Sequence, residues 1–351
     1  MSERGEVLAP SGLTPADFEL LVQAHRAELH AHCYRILGSL YDADDALQET
    51  LLRAWRAIPA FEGRSSVRTW LYRIATNVCL DVITRRRRRL LPTDCGAPTD
   101  PDDDRSGRRL PAEAWIEPYP DEAVGVADGT AGPEARYERR EALELAFVAA
   151  LQYLAPRQRC VLVMRDVLGF SAKETAVALG VTVASVNNTL LRTRKIVEAR
   201  LPARSQQATL RAIGDARLRD NVGRLVGAFE NGDVDTVLRL LAADASFAMP
   251  PYVGWTRGRA ALARSWLMPA GAPSPLRYVP VRANGQPALG AYVLDRDGCY
   301  RPIALDVLTF DGPFVCAVTA FRMPAIFGRF DLPDRLPADH PKGTQVFPLW
   351  R

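Results

Sequence analysis

The spacing of hydrophobic residues divides the chain into helical, polar and strand-like stretches. Residues 15–89 show the three-to-four-residue spacing of amphipathic helices, with breaks at Gly38-Ser39 and after Pro59. This spacing predicts three helices, the second starting near Asp42 and the third near Ser66, and the helical pattern returns over 137–201.

The last segment, residues 206–351, has a different pattern. Two predicted helices, about 219–230 and 234–242, meet at an Asn-Gly-Asp turn, and strand-like stretches follow. The strands are expected at 246–249, 276–282, 290–294, 302–310 and 314–319, with a helix at 257–267. Helices followed by a curved antiparallel sheet predict an α+β domain.

Residues 91–136 show neither the helical nor the strand-like spacing of hydrophobic residues. Between 92 and 136 there are seven prolines, five glycines and eleven acidic residues against four arginines. This composition cannot bury enough apolar surface to fold alone, so it predicts a linker. The apolar island around Trp115, Pro118 and Tyr119 allows two interpretations, local collapse or a docking motif that contacts another domain.

Residues 174–194 have the pattern of a helix-turn-helix. Ser171 and Glu174 have capping-box spacing, and Gly180 falls where the turn needs a left-handed residue. In the second helix Asn187 and Asn188 are suited to adenine edges in the major groove. The remaining candidates at this DNA surface are Thr182, Ser185, Arg192, Arg194 and Lys195, the last three as phosphate contacts.

Composition and charge narrow the function classes. A chain of 351 residues suggests two or three domains, and the net charge of +4 is distributed in basic, acidic and basic blocks that suggest polyanion-binding faces. The six cysteines form no CxxC pair, and no apolar run approaches 18 residues. We therefore expect a cytoplasmic protein with no membrane segment, no metal and no cofactor.

Three strings carry a family resemblance. "DADDALQETLLRAW" resembles the core-binding helix of an extracytoplasmic-function RNA polymerase sigma factor, and "RTWLYRIATN" resembles the helix that binds the −10 element. "LAPRQRCVLVMRDVLGFSAKETAVALG" resembles the domain that binds the −35 element. The resemblance implies two all-α sigma domains, region 2 at 15–90 and region 4 at 137–203, joined by the acidic linker 91–136.

The resemblance also implies partners and site residues. Core RNA polymerase, through its β′ and β subunits, and promoter DNA are the expected partners. The expected core-polymerase contacts are Asp44, Asp45, Gln48, Glu49, Leu52 and Trp55. The expected −10 contacts are Phe61, Arg64, Ser65, Trp70, Arg73, Asn77, Arg85 and Arg86, although Trp70 is also suited to the core. The family's −35 helix usually carries V-(K/R)-S-R-L, and Asn187-Asn188-Thr189 departs from it.

Residues 206–351 resemble a SnoaL-like, or NTF2-like, cone. Such a domain implies regulation in cis, with a small-molecule ligand as a candidate. Tyr252, Trp255, Trp266 and Asp306 are candidates to line a cavity, but the aromatic residues are also suited to filling the cone, and Asp306 to the outer face of its strand. We expect a non-enzymatic initiation factor. The main alternative is a SnoaL-like isomerase, cyclase or hydrolase tethered to a DNA-binding module, and a helix-turn-helix repressor is a third.

Overall fold

The computed structural model describes residues 15–63, 65–84, 86–100, 107–124, 140–264 and 275–342. These residues form two compact units. Among them, unit 1 contains 15–88, 123–124 and 146–201, and unit 2 contains 89–122, 140–145 and 202–342. Unit 2 therefore includes most of the described part of the predicted linker, because this stretch packs on the C-terminal domain.

Unit 1 begins with three packed helices: α1 Pro15–Leu37, α2 Leu40–Ala57 and α3 Val67–Ile83. The helix starts are set by serine caps. Ser39 Oγ accepts a hydrogen bond from the Asp42 amide at 3.1 Å, and Ser66 Oγ accepts from the Thr69 amide at 3.1 Å. The second helix consequently starts at Leu40, two residues before the predicted position.

The second part of unit 1 contains α4 Leu145–Gln152, whose first residue is grouped with unit 2, α5 Pro156–Leu162, α6 Ala172–Leu179 and α7 Val183–Glu198. A single π-helical turn, Val163–Val167, follows α5. α6 and α7 are the predicted helix-turn-helix, and α7 packs on both α5 and α6.

Unit 2 contains α8 Gln206–Ile213, α9 Asp215–Asn231, α10 Val234–Leu240 and α11 Arg259–Leu262. Its strands are β1 Leu241–Ala248, β2 Trp255–Arg257, β3 Leu276–Ala283, β4 Gln286–Leu294, β5 Tyr300–Asp311 and β6 Phe314–Phe321. They form one sheet in the order β2-β1-β6-β5-β4-β3, in which only the β1–β6 pair is parallel among the described strands.

The main core of unit 2 lies between its helices and one face of the sheet. Val222 and Leu225 of α9, Val237 of α10, and Leu308 and Phe310 of β5 belong to this buried cluster. The predicted fold class, two helical domains followed by an α+β domain, is confirmed.

The segment 89–122 of unit 2 has short 3₁₀ turns, Pro92–Cys95 and Ala112–Ala114, and a further 3₁₀ turn begins at Asp121. It adds backbone hydrogen bonds at the β2 edge, where the Thr99 amide donates to the Trp255 carbonyl at 2.7 Å. Trp115 is 2 % exposed, and its backbone forms a bridge with Leu90. A stretch with too few apolar residues to fold alone is thus ordered by the sheet that it covers.

Replacing Trp115 with Ala should destabilise unit 2 by about 3–5 kcal/mol, because a large buried ring leaves a cavity. The measurement is hydrogen exchange of the β3–β5 amides, which reports unit 2 separately from unit 1. The matched control is Trp55→Ala, since this side chain on α2 is 47 % exposed and its loss should cost less than about 0.5 kcal/mol. Equal effects of the two variants would show that 89–122 packs loosely.

Candidate functional site

One face of α2 combines exposed acidic and apolar side chains. Asp45, Gln48, Leu52 and Trp55 are exposed and follow one another at spacings of three and four residues, so they share a face of the helix. Leu52 is 43 % exposed and Trp55 47 %. Apolar side chains left in water beside an acidic group are typical of a protein-binding surface.

The acidic residues of α2 differ in their surroundings. Asp44 Oδ1 lies 3.1 Å from His30 Nε2, and Glu49 Oε1 accepts a hydrogen bond from Arg53 Nε at 2.6 Å. Asp45 has no hydrogen-bond or ion-pair partner among the described residues. Its carboxylate is therefore fully available to a partner molecule.

α3 presents Arg73 and Asn77, which are exposed and one turn apart. Trp70, also expected to contact DNA, is instead buried, and its ring centroid lies 4.9 Å from that of the half-buried Phe61. The indole thus packs within region 2, because its position on α3 faces inward. It supports the loop that contains Phe61.

The residues that flank α3 have several environments. Ser65 is half-buried, and Arg64 and Arg85 lie outside the described residues. Arg86 is exposed and forms an ion pair with Asp42 of α2. Arg89 is buried in unit 2, where its Nη1 donates to the Trp115 carbonyl at 2.7 Å and lies 3.6 Å from Glu117. The arginine run is therefore not one uniform phosphate-binding tail.

The predicted local signals of the helix-turn-helix are confirmed. The Ser171 and Glu174 side chains each accept the other's backbone amide, at 3.1 Å and 2.8 Å. Gly180 ends α6 with φ +63°, a conformation that L side chains rarely adopt. Thr182 Oγ1 caps α7 by accepting the Ser185 amide at 3.1 Å.

The outer face of α7 is accessible along its length. All seven candidate DNA contacts are exposed: Thr182, Ser185, Asn187, Asn188, Arg192, Arg194 and Lys195. Arg194 differs from the others because its Nε and Nη2 donate to both carboxylate oxygens of Asp166, at 2.9 Å and 2.7 Å. Such an exposed pair is weak, so this guanidinium can exchange Asp166 for a phosphate.

Within unit 1 the two helical domains contact each other directly. The Arg68 guanidinium of α3 lies 4.8 Å from the Phe170 ring centroid, and its Nη2 donates to the Leu168 carbonyl at 3.4 Å. Arg159 of α5 is buried and donates to the Ile36 carbonyl at the end of α1. Neither contact was expected from the sequence, since both use backbone carbonyls, which leave no sequence signal.

The turn between β3 and β4 connects three segments of unit 2. Asn284 is fully buried at φ +54°, its Oδ1 accepts from the Tyr119 amide at 2.9 Å, and its Nδ2 donates to the Leu143 carbonyl at 2.7 Å. The Asn284 amide donates to the Tyr119 carbonyl at 2.8 Å. One side chain therefore holds the 89–122 segment and the stretch before α4 on the sheet.

Asp121 reinforces the same turn. Its Oδ1 accepts from the Gly285 amide at 2.6 Å, and its Oδ2 accepts from Arg282 Nε at 3.0 Å. Gly285 has φ +70°, which L side chains rarely adopt, and a Cβ there would lie 3.1 Å from the backbone oxygen of Arg140, so the turn favours glycine. Of the candidate docking residues, Trp115 and Tyr119 are fully buried and Pro118 is also buried.

The candidate cavity residues are not brought together. Trp255 on the β2 edge is three strand positions from β5, about 14 Å, and its Nε1 donates outward to the Gly96 carbonyl at 3.0 Å. Tyr252 contacts Arg109 instead, and Trp266 lies outside the described residues. Asp306 stands apart from them in the buried interior of the sheet, where its Oδ1 has no hydrogen-bond partner among the described residues.

The described part of the chain contains no group of three or more His, Cys, Asp or Glu side chains that could hold a metal ion. None of its helices combines the length and the apolar character needed to cross a membrane.

Two stretches of the chain match family models of sigma factors. Family models describe residues 21–89 as "Sigma-70 region 2" and residues 139–197 as "Sigma-70, region 4". The chain is 43 % identical over 334 residues to the ECF RNA polymerase sigma factor SigG of Mycobacterium tuberculosis (strain CDC 1551 / Oshkosh), covering 93 % of this chain and 88 % of SigG.

Two more distant matches are also named as extracytoplasmic-function sigma factors. The ECF RNA polymerase sigma factor SigE of Mycolicibacterium smegmatis is 30 % identical over 175 residues, covering 50 % of this chain and 58 % of SigE. Among solved structures, the extracytoplasmic function sigma factor SigJ of Mycobacterium tuberculosis matches with a TM-score of 0.54 and 24 % identity. That match covers 90 % of this chain and 100 % of the SigJ chain, and it shows likeness of fold.

Asp306 should make unit 2 less stable as the pH rises. Burial raises the pKa of Asp306 to about 7, above the ordinary aspartate value, so the folded chain binds more protons than the unfolded one between these pKa values. The contribution of Asp306 to the stability of unit 2 is therefore most favourable below the ordinary aspartate pKa, and it becomes less favourable by up to about 1.4 kcal/mol per pH unit as the pH rises towards 7.

The measurement is urea unfolding of the full chain at pH 5, 6, 7 and 8, followed in the β3–β5 amides of unit 2. Asp306→Asn should flatten the fall relative to the unchanged chain. Asp235→Asn, at an exposed position of α10, is the control. An Asp306→Asn profile parallel to that of the unchanged chain would contradict the assignment.

Proposed function

Because the chain belongs to the extracytoplasmic-function RNA polymerase sigma factors, we propose how its parts divide the work of promoter-specific transcription initiation. Unit 1 supplies the polymerase-binding and promoter-binding surfaces. The sheet domain of unit 2 controls the segment 89–122, which follows the first helical domain in the sequence. The observation that carries the proposal is the presence of two separate exposed faces, one on α2 and one on α7, within one chain.

The α2 face binds core polymerase, and its β′ subunit is the proposed partner. Asp45 and Glu49 supply negative charge one helical turn apart, and Leu52 and Trp55 supply apolar area that is already exposed. A basic partner surface would gain both charge pairing and burial of the indole, the combination typical of energetically important contacts in interfaces.

Promoter contacts come from α3 and α7. Arg73 and Asn77 face outward on α3 for the −10 element, and the exposed face of α7 is suited to the major groove of the −35 element. These elements are separate sites on the promoter, more than one helical turn of duplex apart. Since Arg68 and Arg159 hold the two helical domains in contact, the arrangement in unit 1 is a closed form that must open on the promoter.

Unit 2 acts as a brake in cis. The resemblance to other sigma factors implies that the linker passes near the RNA path of polymerase, whereas here Asn284 and Asp121 hold 89–122 on the sheet. Polymerase and the sheet of unit 2 therefore compete for the segment 89–122. This activity needs no catalysis by the chain, and it places the factor with polymerase in the cytoplasm.

Nothing among the described residues supports a small-molecule ligand. Tyr252 and Trp255 point to the 89–122 segment and not towards Asp306, so the described residues do not assemble the expected pocket. The tethered-enzyme alternative has two buried groups in its favour: the Asp306 carboxylate, and Tyr278, whose pKa is raised by burial and then by the charges of Asp306 and Glu230.

Reversing charge at Asp45 and Glu49 tests the polymerase surface. Asp45→Lys with Glu49→Lys should weaken binding to core polymerase at least about 100-fold, because two attractive pairs become repulsive. Fluorescence anisotropy of the labelled full chain with purified core polymerase measures this. Asp235→Lys with Asp339→Lys changes the net charge equally at exposed positions of unit 2 and should bind normally. Unchanged binding by the α2 variant would remove the basis for this surface.

Asn284→Gly tests the brake. Glycine keeps the positive φ of the turn and removes only the side-chain hydrogen bonds to Tyr119 and Leu143. Run-off transcription on fragmented genomic DNA with core polymerase should rise several-fold, and trypsin should cleave 89–122 faster. Asn231→Gly, at an exposed helix end, is the control. Lower or equal transcription together with faster cleavage would show that unit 2 is not a brake.

A further inference from the structure

Leu191 breaks the amphipathic pattern of α7. The apolar residues Val186, Leu190 and Val197 of this helix are buried against the rest of unit 1. Leu191 points the other way and is 60 % exposed. An isolated exposed leucine is common on protein surfaces, so its neighbours on the helix decide whether it has a role.

Those neighbours are polar groups without protein partners. Asn187 and Asn188 precede Leu191 by four and three residues, so all three side chains share one face of α7. Neither amide has a hydrogen-bond partner among the described residues. Arg192 and Lys195 are exposed on the same side of the helix and supply positive charge. The face therefore combines free amides, cations and two exposed apolar side chains, Leu191 and Val183, which lies one turn before Asn187 and is 43 % exposed.

The occupant that fits this combination is the major groove of DNA. Its phosphates are matched by the cations, and adenine N6 and N7 are matched by an asparagine amide. The C5-methyl group of thymine is the apolar feature that the groove offers to a side chain. One helical turn advances 5.4 Å, and base pairs follow at ~3.4 Å, so Leu191 reaches one or two base pairs beyond the asparagines.

We propose that Leu191 is a specificity-determining residue that packs against a thymine methyl group in the −35 element, within two base pairs of an adenine read by Asn187 or Asn188. The inference rests on the proposed function of α7 as the −35 reader. It also specifies the chemistry of the target, because such a face selects A·T pairs at adjacent positions.

The test removes only the methyl group. A promoter fragment recovered by run-off transcription is bound by the holoenzyme, and each −35 thymine is replaced in turn by deoxyuridine. At one position uracil should weaken binding of the unchanged factor about fourfold, the expected effect of one buried methyl group. Leu191→Ala should bind the thymine promoter about fivefold more weakly and show no further loss with uracil.

Val177→Ala is the matched control, because Val177 lies on α6 and is 58 % exposed. It should keep the full uracil effect. Equal uracil sensitivity in Leu191→Ala and the unchanged factor would overturn the proposal, as would weaker core-polymerase binding by Leu191→Ala without DNA. If a scrambled −35 element binds the unchanged holoenzyme as well as the original does, the proposed function of α7 as the −35 reader is wrong. This result differs from those that contradict only the proposal for Leu191.

Discussion

The buried amide of Asn284 is the interaction on which the arrangement of unit 2 depends. It sits at φ +54° in the β3–β4 turn and bonds to backbone groups of Tyr119 and Leu143, which are 24 residues apart in the chain. An amide can donate and accept at once, so it holds one amide and one carbonyl that would otherwise be buried without partners. A carboxylate or an aliphatic side chain could satisfy at most one of them.

The same kind of contact holds the two helical domains of unit 1 together. The hydrogen bonds that Arg68 and Arg159 donate between the two domains go to main-chain carbonyls, those of Leu168 and Ile36, although Arg68 also pairs with Glu28 within its own domain and lies over the Phe170 ring. A hydrogen bond to a backbone carbonyl does not depend on which side chain the partner residue carries, and it is not an ion pair. Such hydrogen bonds are therefore suited to an arrangement that must be stable in the free factor and must separate on a promoter. Burial lowers the pKa of Arg159 to about 10, which leaves it charged at neutral pH.

Local signals in the sequence predicted the helices well, but the sequence could not predict the long-range polar contacts. The capping box at Ser171, the Gly180 turn and the Thr182 cap are short-range patterns with fixed spacing, and the structure has each of them. Trp70 was ambiguous because a helix position alone does not distinguish an inward from an outward ring. Asn284-Gly285 could be identified as a turn, but its bonds to Tyr119 and Leu143 span more than 140 residues. No periodicity in a sequence encodes such a pairing.

The composition of α7 makes promoter recognition depend less on charge pairing with phosphates and more on complementary contacts to base edges. With Asn187 and Thr189 at the two positions where the family usually has cations, fewer phosphates can be neutralised, and salt-dependent, sequence-independent affinity falls accordingly. Amides contribute mainly when the correct base edge is present, since a mismatched edge leaves them unpaired. A weak but selective −35 contact can function because the α2 face binds polymerase separately. The two contacts act on one complex, so selectivity on DNA need not be accompanied by high affinity there.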